Sequence, residues 1–165
     1  MIDAVLRIAW IIALVLAACG GTYARGGGMP SFRDQRGETN GRSFDFVSTK
    51  PDGAEWTIRV RGTAMWVAYA KGKKADELGS FNLSDAEYER LWSLVDTVDL
   101  PRRREGKIDP KHGTVSMHLR SVDDDGAHDL HTVFVSRETS DDDVIDLADY
   151  IASLIERHKK ERPAF

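Results

Sequence analysis

The chain has 165 residues, a formal net charge of −4, 41% hydrophobic residues and 30% charged residues. That length suits one domain, and the composition excludes collagen-like, mucin-like and wholly disordered chains. The acidic balance argues against a nucleic-acid binder, and the single cysteine excludes an internal disulfide, a Cys-rich zinc site and a CxxC redox pair.

The hydrophobic residues begin as a block. Ile8 to Ala18 is an uncharged apolar run of 11 residues. It is too short to cross a bilayer, which takes ~20 apolar residues, and it fits the central region of a secretory signal peptide. The block closes on Leu16-Ala17-Ala18-Cys19-Gly20. Small residues followed by cysteine resemble the lipobox of bacterial lipoproteins. That resemblance implies cleavage before Cys19, lipidation of its thiol, and residues 1–18 as a signal peptide. It also implies export, with lipid on Cys19 as the partner contact to a cell-envelope membrane. Residues 20–42 are Gly-rich without apolar period, so 19–42 reads as a flexible tether with a reach of about 26 Å.

Residues 43–160 read as one α+β domain. Phe44 and Phe46 alternate with polar residues, Pro51-Asp52-Gly53 marks a turn, and Trp56, Ile58 and Val60 alternate with Thr57, Arg59 and Arg61. Ala64 to Ala70 gives another strand, Gly72 to Gly79 a polar loop, and Ser80 to Leu83 a short strand. Ser84-Asp85-Ala86-Glu87 is a capping box, flanked by Leu83 and Tyr88 at the hydrophobic-staple positions. Tyr88, Leu91, Trp92, Val95 and Val98 follow at helical spacing, and Leu100-Pro101 ends the helix. After the basic loop 101–113, Val115 to Val122 and Leu130 to Ser136 form a hairpin around Asp125-Gly126. Ser140 is expected to cap a second helix, with Asp141, Asp142 and Asp143 at its positive end and His158, Lys159 and Lys160 at its negative end. The economical assembly is an antiparallel sheet of four to five strands with two helices packed on one face.

Catalytic motifs are absent from the sequence: there is no GxSxG and no HExxH. His118, His128 and His131 lie among aspartates around one hairpin and are candidate metal ligands. His128 and His131, however, fall on opposite faces of a strand, and aspartates at a turn ordinarily hydrogen-bond their own backbone. No metal or other cofactor is therefore expected. Arg102, Arg103, Arg104 and Lys107 form a basic segment, and Lys71, Lys73 and Lys74 form another. If Trp66 or Tyr69 is exposed, that aromatic residue and the basic residues compose a candidate binding surface.

The order of elements from Trp56 to His158 resembles the emfourin family, small inhibitors of thermolysin-type metalloproteases. Leu91-Trp92-Ser93-Leu94-Val95, Leu100-Pro101 and His131-Thr132-Val133 carry the resemblance. Where that family has a Gly-Gly-Phe-Ala-Gly type stretch, this chain has Arg61-Gly62-Thr63-Ala64-Met65-Trp66. The resemblance implies protease inhibition. The residues themselves favour a non-enzymatic, lipid-anchored module that binds a protein or envelope component, with a metal-binding hairpin as the other alternative.

Overall fold

The computed structural model describes residues 41–122 and 127–165. The expected signal peptide, Cys19, almost all of the expected tether and the expected hairpin turn around Asp125-Gly126 lie outside the described residues. In chain order the elements are β1 (Ser43–Thr49), β2 (Glu55–Arg61), β3 (Ala64–Lys71), β4 (Lys74–Asn82), α1 (Asp85–Val98), a 3-10 turn (Leu100–Arg102), β5 (Thr114–Val122), β6 (His128–Ser136) and α2 (Asp142–Lys159). The six strands form one antiparallel sheet in the order β4-β3-β2-β1-β5-β6. The α+β class stands, with six strands where four to five were expected.

The additional length is in β4. Residues expected as a loop pair with β3 from Lys71↔Lys74 onward, with a register shift at Val67/Ala68. Lys74 to Glu77 are all exposed, so no buried face imprints the two-residue alternation that marks a strand in sequence. What holds the segment is its backbone ladder and the tight turn at Gly72, whose φ of +60° suits glycine.

One face of the sheet is covered. Phe44, Phe46, Ile58, Val60, Met65, Val67 and Met117 share it and are fully buried with Leu147, Ile151, Leu154 and Ile155 of α2 and Leu91 and Val95 of α1. The two helices cross this face in opposite directions. Helix α1 starts directly after edge strand β4, and Asp96 near its end pairs with Arg42 at the start of β1. Helix α2 starts after β6 at the other edge and ends where His158 stacks on Phe81 of β4, centroids 4.3 Å apart.

The capping box at Ser84 and Glu87 forms as expected, and the staple residues Leu83 and Tyr88 are both buried. Helix α1 ends at Asp99, in the left-handed region, and Leu100-Pro101 continues as the 3-10 turn. The cap of α2 is Asp141, whose side chain accepts from the Val144 N–H, and not Ser140. Both residue types cap helices well, and the chain enters the helix one residue later than expected. The C-terminal tail turns back under the sheet. Phe165 meets Phe46 edge-on at 4.9 Å, and Arg137 binds both the Ser48 hydroxyl and the Ala164 carbonyl.

Candidate binding surface

Among the described residues no helix lies on the opposite face of the sheet. Pairing registers fix its rows from β4 to β6. One row is Asn82, Ala64, Arg61, Ser43, Arg120 and Leu130. The next is Ser80, Trp66, Arg59, Asp45, His118 and Thr132. Together they hold three arginines against one aspartate. The Arg59 guanidinium lies over the Trp66 ring, 5.1 Å from its centroid, a cation–π arrangement that orders both side chains. Arg61 pairs with Asp45 at 2.6 Å, and His118 Nδ1 is 3.0 Å from the Thr132 hydroxyl. Arg59 and Arg120 are exposed, and Leu130 is 59% exposed.

Trp66 is thus on the open face, half-buried beside Arg59. Tyr69 is on the helix-covered face, where its ring packs on Trp56 with centroids 4.8 Å apart. The basic segment is not one surface either. Arg103 is a clamp: its guanidinium donates to the Val98 carbonyl and pairs with Asp141 and Asp143, tying the end of α1 to the start of α2. Arg102 pairs with Asp99 at 3.4 Å, and Arg104 and Lys107 are exposed on the loop beside β6. Four strand spacings, about 19 Å, separate β3 from β6, so Trp66 and this loop do not share a patch. Lys71 pairs with Asp52 at 2.9 Å. Arg59 and Arg61 supply the charge beside Trp66, with Arg120 on the same face three strands away, and sequence reading singled out none of them. Strand alternation with Trp66 was the available signal.

At one corner of the open face, the 108–113 loop and the 49–53 turn enclose a cavity of about 370 Å³ lined by Ile108, Phe134, Pro51, Thr49 and Lys50 among others. Asp109 pins that loop. It accepts from the Ser136 hydroxyl at 2.8 Å, from the Lys111 and His112 backbone N–H groups, and lies 3.0 Å from His112 Nδ1. The Ser136 bond, then those from His112, hold the Asp109 carboxyl well below the usual carboxylate range. The hydrogen bond to Asp109 raises His112. A serine, a histidine and an aspartate meet here, but both partners bond to the carboxylate. The acceptor of the Ser136 hydroxyl is a carboxylate held far below its usual range, hence a weak base, and His112 lies against that same carboxylate instead of the hydroxyl, so these bonds secure the loop.

The candidate metal ligands stay apart. His118 and His128 are on the open face, four residues apart along the β6 register, and His131 is on the other face opposite Leu119. Among the described residues no group of three or more His, Cys, Asp or Glu could hold a metal ion. Among them, too, no helix is long and apolar enough to cross a membrane. No protein-family model matches this chain, and a search of curated proteins finds no match to it.

Proposed function

We propose that this chain is a lipid-anchored protein of the bacterial cell envelope whose folded domain is a non-enzymatic binding module. The lipobox-like sequence ending at Cys19 supports the anchor. The binding reading rests on the open sheet face, where Arg59 lies over Trp66, Arg61 is two residues along the same strand and Arg120 shares the face on β5, in a chain whose net charge is −4. Tryptophan and arginine are the residue types that most often carry binding energy, and arginine on an aromatic plane is pre-ordered for a carboxylate. The partner chemistry that fits is an acidic segment of another protein.

Site-specific photo-crosslinking in cells tests the binding reading. A photoreactive residue in place of Ala68 or Thr57, beside Trp66 and Arg59, should give a discrete adduct that Arg59→Glu removes. The same residue in place of Ser93, exposed on α1, should not. Equal adducts at Ser93 and Ala68, or an adduct indifferent to Arg59→Glu, would overturn it. The anchor has a separate test: Cys19→Ala should abolish incorporation of labelled fatty acid, and persistent labelling would refute it.

A further inference from the structure

The two edges of the sheet are protected to different degrees. Strand β4 carries Lys74, Asp76 and Glu77 and a register irregularity against β3, features that discourage another strand from pairing. Among the described residues, the 3-10 turn packs against strand β6, and backbone from another segment caps its outer edge at Phe134. There Gly106 lies parallel to Phe134, and the Phe134 N–H donates to the Glu105 carbonyl at 2.6 Å. Backbone groups alternate along a strand in an antiparallel sheet. Because Phe134 points its N–H outward, so do Thr132, Leu130 and His128, beyond the reach of that cover. Leu130, 59% exposed, is the side chain at the middle of this open stretch.

We infer that the open β6 edge, His128 to Thr132, pairs antiparallel with the same edge of a second copy of this chain. The two-fold axis falls on Leu130. Residues with outward groups must face each other, which allows axes at 129, 130 or 131. An axis at Asp129 sets Asp129 directly against its own carboxylate. An axis at His131 brings Phe134 opposite His128, and the Phe134 N–H is already bound to Glu105. The axis at Leu130 avoids both conflicts. It pairs His128 with Thr132 of the second copy, Leu130 with Leu130, and Asp129 with His131, each outward pair exchanging two hydrogen bonds. The result is a continuous twelve-stranded sheet, its helices on one side and both open faces on the other.

The test is disulfide trapping in the full chain. Leu130→Cys should give a covalent dimer on mild oxidation, because paired Cα atoms lie about 5.5 Å apart, within disulfide range. Ser93→Cys should give none above the wild-type background set by Cys19. Thr132→Pro in the Leu130→Cys chain removes an outward N–H without touching the β5 ladder, and it should abolish the dimer. Asp129→His should weaken trapping, and adding His131→Asp should restore it, which needs no proline and tests the register itself. Equal dimer at positions 93 and 130, or no rescue by the swapped pair, would overturn the inference.

Discussion

Replacing Glu87 by glutamine should destabilise the domain at neutral pH by about 2–3 kcal/mol, and the loss should vanish in acid. Glu87 is 7% exposed. Burial alone would raise its pKa, but the Ser84 backbone and hydroxyl, His158 and Arg157 outweigh it and hold the carboxyl at about 2 instead of 4.5. At ~1.4 kcal/mol per pH unit, that difference contributes ~3 kcal/mol. Solvent screening at Arg157, whose side chain is 60% exposed, trims this to about 2–3 kcal/mol. Glutamine keeps an acceptor for Ser84 but cannot pair with Arg157. The folded value is lowered, so the contribution is complete above the unfolded value near 4.5 and falls as pH drops toward 2. At pH 3 about half of it, ~1.4 kcal/mol, should remain. Urea unfolding of both proteins from pH 7 to pH 2.5 measures the gap, and subtraction cancels the other carboxylates. A gap that stays constant across that range would refute the assignment.

Further substitutions probe the α2 cap and the packing of the C-terminal tail. Asp141→Ala should cost about 1–3 kcal/mol, because it removes both the α2 cap and the Arg103 partner, whereas Ser140→Ala should change stability by less than about 0.5 kcal/mol; Asp141→Asn, which retains the cap, should fall between them in thermal or chemical unfolding. Phe165→Ala should cost about 1–3 kcal/mol by removing its edge-on contacts with Phe46 and Trp56, and should alter tryptophan fluorescence of the folded state.

What was legible in the sequence follows burial. β2 alternates because Trp56, Ile58 and Val60 face a core while Arg59 and Arg61 face water. α1 is legible twice over, in its periodic apolar face and in a capping box built within four consecutive residues. β4 has neither kind of signal, since its first four residues are exposed throughout. Long-range partners were equally hidden. Arg103 reads as one more base in a basic run, and its acceptor Asp141 is 38 residues away. The Trp66–Arg59 pair depends on a register between two strands, which the turn at Gly62-Thr63 sets and composition does not reveal.

The register also explains why net charge misleads here. A sum of −4 would set an acidic partner at a disadvantage if charge were spread evenly, yet binding responds to the local field. The fold sorts the charges. Asp85, Glu89, Asp96, Asp146, Asp149 and Glu156 are exposed along the helices, and Asp85 sits in the first turn of α1, where a carboxylate is favoured. β2 and β5 place Arg59, Arg61 and Arg120 on the bare side of the sheet, facing only Asp45 in those rows. The helix layer thus carries much of the excess negative charge, on the side away from the open face. An acidic partner approaching that face meets arginine and tryptophan first, and pairing two copies through β6 would set two such faces side by side.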